Sequence, residues 1–96
     1  MLGEKPKNLT QSIALILLPE FTMMPVTSVI EPLRLANRMS DKPLYKWTLH
    51  SIDGQPVAAS SGILTMANGD LETIPADAAV IVCGGLNIQH HTDKRL

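Results

Sequence analysis

Residues 13–18, Ile-Ala-Leu-Ile-Leu-Leu, form an unbroken apolar run that stops at Pro19, and residues 78–83, Ala-Ala-Val-Ile-Val-Cys, repeat the pattern before Gly84-Gly85. A strand with one wet face alternates apolar and polar residues. A run without alternation marks a strand covered on both faces, as in a parallel sheet flanked by helices. Neither run approaches the ~18 apolar residues of a membrane span. The two segments therefore predict neighbouring interior strands of an α/β domain. With 96 residues only one such domain fits, and 45% hydrophobic against 18% charged residues is too apolar for a disordered tail.

The intervening sequence supplies the other layers. After a loop over 19–24, apolar residues recur at Val26, Val29, Ile30, Leu33 and Ala36, the spacing of a helix with one buried face, while Glu31, Arg34 and Arg38 mostly take the other side. Pro25 suits a first helical turn, whereas Pro32 would remove a hydrogen bond and crowd the Ser28 carbonyl, predicting a kink or a late start there. The helix should end near 40–43. Residues 45–52 read as a second strand with Tyr45, Trp47 and Leu49 on one face and Lys46, Thr48 and His50 on the other, one side being less buried. Asp53-Gly54 and 68–70 mark turns around two short peripheral strands, within 57–60 and 63–66. Thr92 can cap a further helix. Strand, helix, strand, hairpin, strand implies a right-handed parallel crossover fold, and such a sheet normally carries more strands and helices to cover both faces. The chain thus reads as cut short, with exposed apolar surface and a tendency to dimerise or aggregate if isolated.

The first eleven residues are polar, read as a disordered leader, and lack the apolar core of a secretory signal, which makes a cytoplasmic setting the default. The single cysteine, Cys83, excludes a disulfide scaffold and a structural zinc module. A formal charge of −1 with no basic cluster argues against direct DNA contact by this segment.

Ligands of open α/β sheets collect beyond the carboxyl ends of the strands, where loops converge. Here those loops carry Pro19, Glu20, Phe21, Thr22, Met23 and Met24 after the first strand, and Cys83, Gly84, Gly85, Leu86 and Asn87 after the last. Glu20, Phe21, Thr22, Met23, Cys83, Gly84, Gly85 and Asn87 are the expected ligand-binding set. Cys83 invites a nucleophile reading, but an elbow needs small residues two positions to either side, and Ile81 breaks that requirement, so an unreactive buried cysteine is expected. Adjacent His90 and His91 diverge rather than converge on a metal, and no cofactor or metal site is expected. His50 reads as exposed or hydrogen-bonded rather than catalytic, and Glu31 with Arg34 as a solvated ion pair. Met23, Met24, Met39 and Met66 read mainly as adaptable core, with Met23 and Met24 also able to shape a pocket beside Phe21.

Residues 21–37, Phe-Thr-Met-Met-Pro-Val-Thr-Ser-Val-Ile-Glu-Pro-Leu-Arg-Leu-Ala-Asn, together with Tyr45-Lys-Trp, Ser51-Ile-Asp-Gly and Val82-Cys-Gly-Gly, resemble a known group. The chain from about Ser12 onward is similar to the amino-terminal half of the PfpI-like, class I glutamine amidotransferase-like domain of AraC-type transcription regulators. The likeness is greatest to the branch that regulates catabolism of quaternary amines such as glycine betaine and carnitine. The resemblance implies an incomplete flavodoxin-like parallel sheet with helices on both faces, cut before the nucleophile-elbow region. It further implies a homodimer, a small-molecule effector, no membrane partner, and promoter DNA bound through carboxy-terminal helix-turn-helix units that are absent here. In related enzymes the nucleophile follows a later strand, so Cys83 is not its counterpart, and the acidic residue early in their first helix is matched here by Pro25, which cannot carry a proton.

Three functions follow as expectations. The first is a non-catalytic ligand sensor whose binding energy shifts a regulator between DNA-binding states. There, amides near Gly84 and Gly85 would receive a betaine-like carboxylate, while Phe21 and Glu20 would face the cationic end. The alternatives are a fragment of a PfpI-like amidase, peptidase or glyoxalase, and a dimerisation module that binds no small molecule.

Overall fold

The computed structural model describes residues 10–85. Asn87, His90, His91 and the Thr92-capped helix lie outside the described residues, as does the expected disordered leader except for Thr10 and Gln11.

Strand β1 (Gln11–Leu17) leads into helix α1 (Met23–Ser40), strand β2 (Tyr45–His50), short strands β3 (Val57–Ala58) and β4 (Leu64–Thr65), a 3-10 turn at Leu71–Thr73, and strand β5 (Ala79–Cys83). The main sheet has the order β2-β1-β5 with both pairs parallel, so the two apolar runs are neighbours with β1 in the centre. The central position explains the unalternating run. Leu15 and Leu17 are buried on one side of β1, and Ala14 and Leu18 on the other.

Strand β1 begins two residues before the apolar run because pairing, not hydropathy, sets its start. Gln11 lies opposite Tyr45, and its N–H donates to the Leu44 carbonyl at 3.0 Å. The expected hairpin strands shrink to two residues each and form a separate antiparallel pair.

Helix α1 covers the Leu15/Leu17 face. Val26 joins Leu15, Leu17, Phe21 and Cys83 in the core, with Val29, Ile30, Trp47 and Leu49 packed around them. The expected late start at Pro32 is corrected: the helix begins at Met23 and runs through Pro32 to Ser40. Ser28 and Pro32 both sit on the exposed side, where water can serve the carbonyl that the proline leaves without a donor. Asp41 closes the helix in a left-handed conformation, φ 58°. Asn37 then ties α1 to β2. Its Nδ2 donates to the Tyr45 carbonyl at 2.8 Å, and its Oδ1 accepts the Tyr45 N–H at 2.9 Å. One side-chain amide thereby serves both backbone groups of Tyr45.

The methionines differ from expectation. Met23 packs against the core, but Met24, Met39 and Met66 are exposed because they fall on the outer side of α1 or past the end of β4. The Glu31–Arg34 pair forms as expected on the solvent face, with Arg34 Nε 3.0 Å and Nη2 2.6 Å from Glu31 Oε1. On the sheet face away from α1, Val80 and Val82 are 50% and 57% exposed, and α1 is the one α-helix among the described residues. Among the described residues no helix is long and apolar enough to cross a membrane.

Candidate functional site

The carboxyl ends of β1 and β5 meet as the two apolar runs require, and main-chain hydrogen bonds join them. Leu18 N–H donates to the Cys83 carbonyl at 3.0 Å, and Thr22 N–H to the Gly84 carbonyl at 2.9 Å. Between these points the chain turns sharply. Phe21 N–H donates to the Leu18 carbonyl at 3.0 Å, with Pro19 second in the turn and Glu20 third at φ 63°. That is the arrangement of a type II turn, whose third position favours glycine because φ is positive. The Glu20 N–H donates outward to Ala58, and the Ser60 N–H donates to Phe21, so the β3 side holds the same loop from the opposite flank.

This loop places the expected binding residues in two tiers. Phe21 is fully buried and Cys83 nearly so, both inside the core. Burial pushes the Cys83 thiol above its ordinary pKa, because an apolar surrounding disfavours the thiolate, and this is the opposite of what activates a cysteine nucleophile. Glu20, Thr22, Met23, Gly84 and Gly85 are half-buried and form the outer tier. Gly85 is there for room. A Cβ on it would run into the carbonyl oxygen of Glu20 and lie 3.3 Å from Phe21 Cα.

Sequence reasoning did not single out the cavity on the other flank of this loop. It lies between the tips of β1 and β2, has a volume of about 180 Å³, and is walled by Leu17, Pro19, Pro56 and Val57, with Ser51, Asp53 and Gln55 supplying polar groups. Ser51 Oγ donates to the Gln55 carbonyl at 2.7 Å, and Asp53 Oδ1 accepts the Gln55 N–H at 3.0 Å, which fixes the turn that borders the opening. The Ser51-Ile-Asp-Gly segment, noted above as a strand end with a turn and for its likeness to a family, was the available signal.

His50 is buried at 2% exposure and hydrogen-bonded. Its Nδ1 lies 2.9 Å from the Asp70 carbonyl, which can only accept, so Nδ1 carries the proton. Nε2 lies 2.7 Å from Thr48 Oγ1. Asn68 likewise serves both backbone groups of one strand residue, but with main chain and side chain together: its backbone N–H donates to the Leu49 carbonyl at 2.6 Å, and its Oδ1 accepts the Leu49 N–H at 2.7 Å. These contacts pin residues 68–73 to the edge of β2, a structural role for His50.

No family model matches the chain. It is 43% identical over 93 residues to the HTH-type transcriptional regulator GbdR of Pseudomonas aeruginosa, an alignment that takes in 96% of this chain and 25% of GbdR. It is 39% identical over 77 residues to the HTH-type transcriptional regulator CdhR of the same species, covering 80% of this chain and 23% of CdhR. The chain thus spans about a quarter of the length of these curated relatives. Among solved structures, an AraC family transcriptional regulator from Pseudomonas putida superposes with a TM-score of 0.70 at 27% identity, over 79% of this chain and 48% of that one. A DJ-1 superfamily protein from Agrobacterium tumefaciens gives 0.62 at 22% identity, over 86% and 42%. A THiJ/PfpI family protein from Pseudomonas syringae gives 0.57 at 19%, over 88% and 33%; these last two likenesses establish the fold.

Proposed function

We propose, on the premise that the chain is homologous to AraC-type transcription regulators and carries the DJ-1/PfpI fold, that it is the effector-sensing part of such a regulator. The observation that carries this reading is 43% identity to an HTH-type regulator along 96% of the chain. The effector is a small amine or quaternary amine of betaine or carnitine type, bound at the carboxyl ends of the strands. Promoter DNA is contacted by a separate helix-turn-helix region, the working form is a cytoplasmic homodimer, and no reaction is catalysed.

One feature of the chain favours sensing over catalysis: Pro25, which cannot carry a proton, stands where resembling enzymes carry an acid. Effector contact falls to Glu20, Thr22, Met23, Gly84 and Gly85, with Asn87 beyond them. Phe21 and Cys83 support that surface from beneath, so that a ligand pressing on it is felt in the core.

A sensor needs different effector affinity in its two states. Calorimetry on the complete protein that carries this sequence should give heat with at least one of glycine betaine, carnitine and arginine. The same compound should change promoter occupancy in a gel-shift assay. Absence of heat with all three removes the ligand class, and heat without a change in occupancy removes the regulatory role.

A further inference from the structure

We infer that Asn68 is a site of spontaneous deamidation, and that its isoaspartyl product unfastens residues 68–73 from the edge of β2. These residues form a strap. Asn68 holds both backbone groups of Leu49, the Ser51 N–H donates to the Gly69 carbonyl at 3.1 Å, and His50 Nδ1 donates to the Asp70 carbonyl at 2.9 Å. The strap thus closes the outer edge of β2 from Leu49 to Ser51 and helps bury His50. Asn68 itself is exposed to water, and its Nδ2 hydrogen-bonds to no described residue.

The fold keeps a chemically labile pair at this point. Without Oδ1 of Asn68 the Leu49 N–H loses its acceptor. A Cβ on Gly69 would run into Thr73 Oγ1 and lie 3.1 Å from Thr73 Cβ. Thr73 Oγ1 cannot swing aside without giving up the Asp70 carbonyl, to which it donates at 2.8 Å, and its place 3.3 Å from His50 Nδ1. Asparagine is among the thermolabile residues, and a following glycine has no side chain to hinder attack by its own nitrogen.

The reaction needs only water. The Gly69 nitrogen attacks Asn68 Cγ, the N–Cγ bond forms, and the Cγ–Nδ2 bond breaks. The departing ammonia carries off the proton that the Gly69 nitrogen loses, leaving a cyclic imide. Water then opens one of the two imide carbonyls, and nothing is oxidised or reduced. Opening on one side gives aspartate, whose carboxylate can still accept the Leu49 N–H. Opening on the other gives isoaspartate, which routes the main chain through Cβ and Cγ.

That detour adds one bond, about 1.5 Å, ahead of Gly69. Neither the Ser51–Gly69 nor the His50–Asp70 hydrogen bond tolerates a shift of that size. The strap therefore cannot reseat, and the edge of β2 is left with open main-chain groups, a template for association. While Oδ1 holds the Leu49 N–H, the side-chain amide is committed to β2, so ring closure waits for the strap to open locally.

The test holds the complete protein that carries this sequence, and a synthetic peptide of residues 64–74, at mildly alkaline pH. Peptide mapping by mass spectrometry follows the exchange of ammonia for water at Asn68, with chromatography separating isoaspartate from aspartate. Asn37, followed by Arg38 within α1, is the internal control. Asn68 should convert in the folded protein to both products, more slowly than in the peptide, while Asn37 stays intact. Thr73→Val removes the hydroxyl clasp and should speed conversion about two- to tenfold, the change in local opening that one lost hydrogen bond gives. Thr73→Ser, which keeps the hydroxyl, should leave the rate unchanged, with circular dichroism checking both folds. The purified isoaspartyl form should lose hydrogen-exchange protection across residues 49–51.

No conversion of Asn68 in the folded protein while the peptide goes to completion overturns the site. Aspartate without isoaspartate overturns the imide route. Conversion as fast as in the peptide, a rate that Thr73→Val leaves unchanged, or native-like exchange across residues 49–51 in the isoaspartyl form each overturns the strap. The exchange measurement needs no substitution, so it decides the matter if Thr73→Val fails to fold.

Discussion

Replacing Gly85 with alanine should loosen the junction between β1 and β5 more than any other single-methyl change. The added Cβ would run into the Glu20 carbonyl oxygen and sit 3.0 Å from its carbonyl carbon and 3.3 Å from Phe21 Cα. All three obstacles are backbone, so no rotamer change makes room. Gly85 itself is not in the left-handed region, and the cost is one of contact alone. Overpacking of this kind costs ~1–3 kcal/mol. Moving Glu20 away also strains the Thr22–Gly84 and Leu18–Cys83 hydrogen bonds, each worth ~0.5–1.5 kcal/mol. With one of them lost, the total comes to ~2–4 kcal/mol. Urea denaturation of the complete protein should then show a midpoint lower by about 1–2 M at an unchanged slope. Gly62→Ala makes the comparison informative: nothing lies within 4 Å of the added Cβ, but φ is 89°, so its cost comes from backbone conformation alone. A Gly85→Ala protein within ~0.5 kcal/mol of wild type would refute the close approach and the two-tier description of the site built on it.

Asn37→Ala strips Tyr45 of both amide partners and should cost ~1–3 kcal/mol by chemical denaturation; a loss comparable to an ordinary surface substitution would contradict the bridging role. Asp41→Gly should raise stability by ~0.5–1 kcal/mol, since glycine adopts φ 58° without a Cβ penalty and a negative charge leaves the helix carboxyl end; calorimetric melting checks it. Cys83 gives a pH signature. Its folded pKa is raised, so its contribution to stability is complete below the ordinary cysteine value of ~8.5 and is lost as pH climbs through the folded value. Cys83→Ala should flatten the alkaline limb of the stability profile, and native Cys83 should alkylate more slowly than in the unfolded chain.

The central strand and the helix were legible because their burial follows from residues a short distance apart, whereas the run at 78–83, expected to be covered on both faces, forms β5 at the edge of the described sheet with Val80 and Val82 exposed. The run at 13–18 announces a strand dry on both faces, and the spacing from Val26 to Ala36 announces a helix with one dry side. What escaped depends on partners distant in sequence. Pro32 argues locally for a break, yet the packing of Val26, Val29 and Ile30 on the sheet carries the helix through it. Asn37 and Asn68 look like ordinary polar residues until a strand is laid beside them. Phe21 sits in a loop by sequence, but main-chain bonds from both flanks fold its ring inward. The cavity beside Asp53 arises where β2 ends next to β1, a juxtaposition that no pattern of residue types encodes by itself.

The central placement of β1 also governs the order of events on the ribosome. Its β2 edge can be satisfied as soon as Tyr45–His50 emerges, whereas Ile13 must wait for Ala79, about 66 residues later. At synthesis speeds of roughly 5–20 residues per second, that edge stays open for about 3–13 s. During this interval the central strand of the nascent polypeptide offers unpaired main-chain groups to any extended neighbour, and a delay in translation between codons 50 and 79 lengthens it in proportion. Yield in cells should then respond to synonymous codon choice in that stretch, although the finished molecule is chemically identical.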